Sequence, residues 1–214
     1  MWRDVALGFQ IAFRQAWEAY EVNNIPIGAA VLNAQGYVVA QGRNQCQAPG
    51  PGLISRHQLA HAEANAILQL SEMDERNHHP DIRTYTLYTT MEPCPFCFGA
   101  IVMGSIRFVK FAARDGWAGA TAINDMHPYV MRKGIVVEGP FAEMERVQIA
   151  MQLCYETEQR PHGADILAAE WEQACPGGVT WERRLAAEGI LARLAREGVT
   201  MDVVYDFIVE MGAG

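Results

Sequence analysis

Two short motifs in this chain combine residue types that bind metals and move protons. In "AHAEANAI", His61 stands two residues before Glu63, and further along, "MEPCPFCFGAIVMG" carries Cys94 and Cys97 three positions apart. Zinc favours Cys thiolate, His imidazole and carboxylate ligands in a tetrahedral arrangement, and a catalytic site keeps one position open for water. One histidine and two cysteines leave that position open. Glu63 is then free to move protons rather than bind the metal.

The cysteine pair alone has other interpretations. A structural zinc ribbon or a redox pair also uses a C-x-x-C motif, but the second such pair that a ribbon needs is missing from this chain. His57 precedes His61 by four residues, a ligand spacing on a helix, but it falls on the loop side of the predicted helix start. We expect His57 to be a surface or pocket residue and the His78-His79-Pro80 stretch to be a solvated loop. Together, His61 and Glu63 favour a catalytic over a structural zinc site.

The remaining candidates have simpler interpretations. Three further cysteines are expected to be buried small side chains: Cys46, Cys154 and Cys175. Phe96 and Trp117 could stack on a heterocyclic base, although core packing is the favoured interpretation. Glu92 and Asp115 are expected only to hold turns.

Each motif is predicted to stand at the start of a helix. Residues 62–72 are rich in Ala and Leu, and residues 95–103 begin with a proline, which the first position of a helix tolerates. His61 and the cysteine pair would therefore lie at the positive ends of helix dipoles. Such positions favour a thiolate and a metal-activated water.

Apolar periodicity elsewhere alternates between helix and strand. Helices are predicted at 3–20 and 142–156, a hairpin at 25–32 and 37–41 around the turn Asn33–Gly36, and strands at 83–90, in "IRFVKFA" and in "GIVVEG". This alternation favours an α/β layered domain with a mixed sheet.

Only helical patterning follows "ETEQRPHG". We therefore predict a domain at 1–156 and a helical extension at 157–214, with Thr200 as a helix N-cap and a break at Gly177-Gly178. Four residues of the extension form an apolar stripe that must be buried: Val204, Phe207, Ile208 and Met211. The stripe could form a lid beside the site or a brace that only stabilises the dimer, and the brace is favoured.

Bulk composition narrows the function classes. The formal net charge of −8 argues against a polyanionic partner, because nucleic-acid binding relies on Lys and Arg displacing counterions. The basic residues at 107–114 and 132–133 are expected to form a solvated face. No apolar run is long enough to span a bilayer and no signal peptide is evident, so a cytoplasmic protein is expected.

The pairing of "HAE" with "PCPFC" has the H-x-E and P-C-x-x-C spacing of zinc deaminases. With "PIGAAVL", "AQGRN" and "FAARDGWAGA", the chain resembles the cytidine deaminase superfamily over about residues 3–156. It is most similar to the branch of tRNA adenosine deaminases, guanine deaminases and fungal-type cytosine deaminases. The resemblance implies a three-layer α/β/α domain with a mixed five-stranded sheet, and a homodimer.

The resemblance also implies roles for individual residues. His61, Cys94 and Cys97 would bind zinc, and Glu63 would shuttle protons while an exocyclic amino group leaves as ammonia. Asn44 would hold the substrate through its side-chain amide, and the backbone N–H near Ala62 would face the ring.

The substrate is less well defined, because the pocket loop departs from the relatives. Residues 57–60 replace an Asp-Pro-Thr-Ala element, and the gap from Asn44 to His61 is longer. The expected substrate is a free nucleobase, nucleoside or related small N-heterocycle, purine or pyrimidine. The alternative is a tRNA adenosine deaminase that acts on a flipped base.

Overall fold

A mixed sheet forms the centre of the fold. The computed structural model describes residues 1–72, 81–174 and 179–212. Within these residues the sheet has five strands in the order β2-β1-β3-β4-β5, namely β1 Gly28–Leu32, β2 Val38–Arg43, β3 Thr86–Met91, β4 Phe108–Ala113 and β5 Val136–Glu138. Strand β1 is antiparallel to β2 and β3, whereas β3, β4 and β5 are parallel. The predicted mixed sheet is confirmed.

The β1–β2 hairpin follows from its turn residues. Gly36 has a φ of +83°, which glycine adopts without steric cost. The Asn33 side chain closes the turn by accepting hydrogen bonds from the backbone N–H groups of Gln35 at 3.0 Å and Tyr37 at 2.9 Å. The first strand begins three residues later than predicted, because a tight turn joins the Ile27 N–H to the Ile25 carbonyl at 2.7 Å.

Helices cover both faces of the sheet. On one face lie α1 (Leu7–Glu21) and α5 (Ala142–Gln159), and on the other α2 (Ala62–Glu72) and α3 (Pro95–Met103), while the short α4 (Pro128–Met131) precedes β5. Phe13 and Met151 belong to the core of the first face, and Ile67 and Phe98 to that of the second. These layers confirm the α/β/α prediction.

The first helix starts later than predicted. Trp2–Asp4 form a separate 3-10 turn, and the Gln10 side-chain amide donates hydrogen bonds to the Trp2 and Val5 carbonyls, both at 3.0 Å. These bonds hold the chain in a bend ahead of Leu7. Apolar periodicity continues through the bend, which is why it extended the predicted helix.

The C-terminal helices share the core of the first face. They are α6 (Pro161–Ala174), α7 (Thr180–Ala187), α8 (Ile190–Arg196) and α9 (Met201–Met211). Trp171, Leu191 and Tyr205 pack into the same cluster as Phe13 and Met151. Helix α5 continues past residue 156 to Gln159. The domain boundary at residue 156 remains a prediction. Cys175, the Gly177-Gly178 break and His78-His79-Pro80 lie outside the described residues.

The apolar stripe of α9 packs against the N-terminal helix. Val204 and Ile208 are buried, whereas Met211 is 50% exposed. Tyr205, on the same helix, makes edge-to-face contacts with Trp2 and Phe13, at ring-centroid distances of 5.4 and 5.5 Å. These contacts lie within one chain, so the choice between lid and brace remains a prediction.

Helix α6 docks at the opposite end of the core. The Trp171 indole donates a hydrogen bond to the Arg114 carbonyl at 3.3 Å, and the Arg114 guanidinium donates one to the Ala174 carbonyl at 2.6 Å. Arg114 directly follows β4, so α6 is fastened beside the carboxyl end of the sheet. Among the described residues, no helix combines the length and apolar character needed to cross a bilayer.

Candidate active site

Three potential metal ligands meet at the carboxyl end of β3. One ligand atom each from His61, Cys94 and Cys97 lies within 4.8 Å of the others. The Nδ1 of His61 is 3.5 Å from the Cys94 sulfur and 3.3 Å from the Cys97 sulfur. Tetrahedral zinc, with its usual bond lengths to nitrogen and sulfur, places such atoms about 3.5 Å apart. The residues therefore fit zinc in both chemistry and spacing.

The histidine is positioned by close packing of α2 on β2. At Gly42 any Cβ would collide with the Ala62 carbonyl and the Ala66 backbone nitrogen, so glycine lets the start of α2 approach the strand. The His61 carbonyl accepts the first helical hydrogen bond, from the Asn65 N–H at 3.0 Å. This packing places the His61 ring at the positive end of the helix dipole.

The cysteines occupy the start of α3. Cys94 is the N-cap, Pro95 is the first helical residue, and the Phe98 N–H donates to the Cys94 carbonyl at 2.8 Å. Cys97 then lies one turn inside the helix and is fully buried. A helix start with a pre-set proline thus fixes both sulfurs toward His61.

A hydrogen bond between the two cysteine side chains shifts their pKa values in opposite directions. The hydrogen bond from Cys97 is the main cause that lowers the pKa of Cys94 to about 4. The same bond, followed by burial, raises the pKa of Cys97. A hydrogen bond with Cys94 also raises the pKa of His61, against the effect of burial. The site therefore offers one thiolate in advance, and a bound cation would displace the second thiol proton.

The Glu63 carboxyl lies against the cluster without joining it. Glu63 is only 3% exposed. Its Oε1 accepts a hydrogen bond from the Thr89 hydroxyl at 3.3 Å, and its Oε2 accepts one from the Cys97 thiol at 3.3 Å. Burial raises the pKa of this carboxyl. A buried acid adjacent to a metal position is suited to proton transfer.

Asn44 and Ala62 lie at the same end of the sheet. Asn44 follows β2, is 2% exposed, and accepts a hydrogen bond from the Cys46 N–H through Oδ1 at 3.0 Å. Its side-chain amide also forms a hydrogen bond with the Cys46 thiol, which uses one of the two amide N–H groups. Ala62 is the first residue of α2, where backbone N–H groups have no acceptor within the helix. Both positions can therefore donate to a ligand.

The structure decides several predictions about residues other than the metal ligands. His57 is exposed and outside the metal cluster found among the described residues; its Nδ1 accepts from the Leu59 N–H at 3.1 Å. Cys154 is buried as expected, but Cys46 is only partly buried, so that expectation is wrong for Cys46. Trp117 is 64% exposed and Phe96 38%, which corrects the core-packing interpretation for both.

Glu92 and Asp115 hold turns, as expected. Glu92 accepts hydrogen bonds from the backbone N–H groups of Thr121 at 3.2 Å and Asp115 at 3.3 Å. Asp115 accepts through Oδ1 from the N–H groups of Trp117 and Ala118, both at 3.0 Å. Burial raises the pKa of Asp115, and negative charges on Glu92 and Cys94 add to this effect. The loop after β4 is therefore close to the metal cluster.

A cavity of about 380 Å³, the edge cavity, opens at the same end of the sheet. Ile25 and Ile27, just before β1, and Met91, at the end of β3, form one wall. Because β1 is antiparallel to β3, the start of one strand lies beside the end of the other, three residues before Cys94. The cavity and the metal cluster thus share one end of the sheet.

Helices α5 and α6 form the other walls of the edge cavity. Gln152 and Glu156 of α5 and Leu167 and Trp171 of α6 line it. The sequence analysis missed the two α5 residues. A usable signal was present, because polar residues at intervals of four, beginning with Gln148, interrupt the buried face of this helix.

The family profile "Cytidine and deoxycytidylate deaminase zinc-binding region" matches residues 4–113. The chain belongs to the cytidine deaminase superfamily. The matched range contains His61, Glu63, Cys94 and Cys97, and so includes the whole cluster.

Curated relatives of this superfamily member differ in what they act on. A cytosine deaminase of Candida albicans is 30% identical over 113 residues, 52% of this chain and 68% of that protein. A tRNA-specific adenosine deaminase of Bacillus subtilis is 33% identical over 110 residues, 51% and 62% respectively. A tRNA(Ile)-lysidine synthase of Deinococcus radiodurans is 36% identical over 115 residues, 54% of this chain but only 18% of that protein. The match therefore spans a small part of one relative and about two thirds of the others.

A solved structure supports the fold of this superfamily member. Guanine deaminase from Nitrosomonas europaea superposes with a TM-score of 0.52 at 20% identity, covering 70% of this chain and 83% of that one. At this identity the likeness concerns the fold alone.

Proposed function

We propose that this chain is a zinc-dependent hydrolytic deaminase. It removes the exocyclic amino group of a free nucleobase, nucleoside or related small N-heterocycle and releases ammonia. One observation carries the proposal: the Glu63 carboxyl lies 3.3 Å from the Cys97 sulfur, beside a metal-ligand cluster to which it does not belong. A structural zinc site would have no use for this buried acid.

His61, Cys94 and Cys97 would hold the zinc. Their donor set and spacing suit a tetrahedral site with an open position. When bound, zinc supplies Lewis acidity that makes water a competent nucleophile near neutral pH.

Glu63 moves the protons of the reaction. Its buried carboxyl takes one from the attacking water and delivers protons to the ring nitrogen and to the departing amine. The Thr89 hydroxyl, at 3.3 Å from Oε1, orients the carboxyl group. Positioned acid–base groups of this kind contribute about 10²–10⁴-fold to rates.

Asn44 and the start of α2 orient the substrate. The Asn44 Nδ2 and the N–H groups near Ala62 donate to acceptor atoms of the ring. The edge cavity then holds the rest of the molecule and shields it from water. Its volume of about 380 Å³ lies within the range of small-ligand pockets.

Charge and access favour a small substrate. The net charge of −8 disfavours a polyanion, and α6 covers one side of the edge cavity. The second candidate is a tRNA adenosine deaminase, because a tRNA-specific adenosine deaminase of Bacillus subtilis is 33% identical over the matched part. That activity needs an open surface for a flipped base.

A homodimer and the division at residue 156 are part of the proposal. The exposed Met103 of α3 and Met131 of α4, 70% and 56% exposed, offer apolar surface to a partner subunit. Light scattering on the full chain tests the dimer: a single species of twice the chain mass supports it, and a monomer refutes it.

Ammonia release across a panel tests the function. The panel holds guanine, cytosine, adenine, their nucleosides, cytidylates and aminotriazines, with tRNA transcripts assayed for inosine in parallel. The proposal expects turnover of at least one small heterocycle and none of tRNA. Inosine in tRNA without small-molecule turnover would establish the second candidate instead.

A further inference from the structure

The polar wall of the edge cavity is formed by acceptors. Gln152 and Glu156, one helical turn apart on α5, line the cavity at 5% and 2% exposure. The Gln152 Oε1 is buried and has no hydrogen-bond partner among the described residues. An N–H group of a molecule in the cavity would pair this oxygen and remove the free-energy cost of its unpaired burial.

Glu156 has an oxygen to spare. Its Oε1 accepts from the Gln152 amide at 2.9 Å and from the Arg160 guanidinium at 3.1 Å. No donor to its Oε2 occurs among the described residues. One N–H of Gln152 and one of Arg160 are thus directed at Oε1, and Oε2 stays available as an acceptor.

A second carboxylate faces the same space. Asp115 lines the edge cavity and uses only Oδ1 for the turn bonds from Trp117 and Ala118 among the described residues. Asp115 and Glu156 thus place two carboxylates around the edge cavity against one guanidinium, that of Arg160. A ligand that presents N–H groups would find acceptors waiting.

The remaining walls suit a flat ring. Ile25 and Ile27 approach from the sheet, and Leu167 and Trp171 from α6. The exposed Trp117 side chain also lines the edge cavity, where its face can stack on a heterocycle. Apolar walls around a few polar groups are typical of sites that orient a planar molecule.

We infer that the edge cavity selects heterocycles whose edge carries a second amino group, in addition to the amino group that is removed. Glu156 accepts from this edge, and Gln152 and Asp115 supplement it. The inference rests on the proposed function and narrows its substrates to diamino-type purines, pyrimidines or triazines. Simple monoamino rings leave these acceptors without a donor.

Binding to matched ligand pairs tests the inference. The pairs are 2,6-diaminopurine against adenine and 2,4-diaminopyrimidine against 4-aminopyrimidine, which differ by one amino group. Titration calorimetry uses the zinc-loaded full chain carrying Glu63→Gln, so that turnover does not interfere. In at least one pair, we expect the diamino member to bind at least about tenfold more tightly, as one hydrogen bond to a charged acceptor provides.

Substitutions in α5 test whether Glu156 and Gln152 cause the selectivity. Glu156→Gln should bring the affinity ratio of that pair near one, and Gln152→Met, which keeps the chain length, should reduce it at least about threefold, since a neutral bond is weaker. Glu158→Gln is the matched control, because Glu158 lies on the same helix, is exposed and does not line the edge cavity. The control should keep the full ratio.

The outcomes separate this inference from the proposed function. Equal affinities within both pairs, no binding of any member, or a ratio unchanged by both Glu156→Gln and Gln152→Met would overturn the inference. If one of these variants does not fold, the affinity ratios of the other variant and of the protein without α5 substitutions decide whether the inference holds. Selective binding without ammonia release by the wild type would refute the reaction but not the selectivity.

Discussion

The Thr89 hydroxyl donates a hydrogen bond to Oε1 of Glu63 at 3.3 Å, joining the end of β3 to the first turn of α2. The other oxygen of Glu63 contacts the Cys97 sulfur of α3. One carboxyl thus touches the sheet and both motif helices. Its orientation is fixed by the fold rather than by a flexible loop, which is what a proton-transfer group requires.

Zinc retention should depend on the three-residue cluster. The purified wild type is expected to hold about one zinc per chain, and His61→Ala and Cys97→Ala to lose it, because two ligands bind too weakly. Elemental analysis after dialysis measures this. Cys46→Ser is the matched control, since Cys46 lies outside the cluster, and it should retain the metal. Full zinc retention by His61→Ala would rule out the assigned ligands.

Close packing at Gly42 should support the metal site. Gly42→Ala pushes a Cβ into the Ala62 carbonyl, so α2 must shift, at a cost of about 1–3 kcal/mol and with weaker zinc binding. Gly99→Ala is the control. Its Cβ meets nothing within 4 Å, and alanine should raise helix stability by about 0.5–1 kcal/mol. Chemical denaturation measures the unfolding free energy of each variant, and zinc titration measures its metal affinity. A Gly42→Ala protein as stable as the wild type would contradict the close contact at Gly42.

The brace role of α9 predicts a stability effect at Ile208. Ile208 is 1% exposed in the core of the first face, so Ile208→Ala should cost about 2–5 kcal/mol of unfolding free energy. Met211→Ala, on the same helix but 50% exposed, should change it by less than about 0.5 kcal/mol. Ligand preference should not change in either variant. A changed substrate ranking in Ile208→Ala would favour the lid interpretation for α9.

The buried Glu182 of α7 should make stability depend on pH. It is 3% exposed and pairs with Arg146 at 3.5 Å, yet burial raises its pKa above the ordinary value of 4.5. The unfolded chain therefore releases this proton first, and the protein loses stability as pH rises from 4.5 through the folded value. Glu182→Gln has no such proton to lose. The difference between its melting temperature and that of the wild type should therefore grow across that pH interval and persist at higher pH.

Thermal unfolding between acidic and neutral pH checks this sign. Glu188→Gln is the control, because Glu188 pairs with Arg184 at the surface, where such pairs contribute little. A Glu182→Gln protein that is less stable than wild type at neutral pH would mean that the Arg146 pair outweighs the cost of burial.

Local signals were sufficient for the motif helices but not for every strand. Both α2 and α3 have the predicted bounds, because an alanine-rich run and an initial proline mark their starts. Strand β3 begins three residues later than predicted. Thr84 donates its hydroxyl to the Asp81 carbonyl at 2.7 Å in a 3-10 turn, and this local bond competes with strand pairing.

Local patterns mark the polar positions of α5 but do not show which elements meet to form the cavity walls. Glu156 faces the metal end of the sheet only because α5 crosses it, and Trp171 meets Arg114 across a separation of 57 residues. Nothing in the spacing of either residue encodes that encounter. The metal cluster was easier to predict from the sequence. Each of its motifs starts a helix, and helices that follow strands of one sheet running in the same direction begin at the same end of it.

Ammonia release by the zinc-loaded wild type and Glu63→Gln, compared at equal metal content on a substrate turned over in the panel, tests the central claim most directly. Glu63→Gln preserves side-chain volume and leaves His61, Cys94 and Cys97 unchanged, so zinc content and melting behaviour serve as controls. We expect turnover to fall by about 10²–10⁴-fold or more with zinc retained. Near-normal ammonia release by Glu63→Gln would contradict the account.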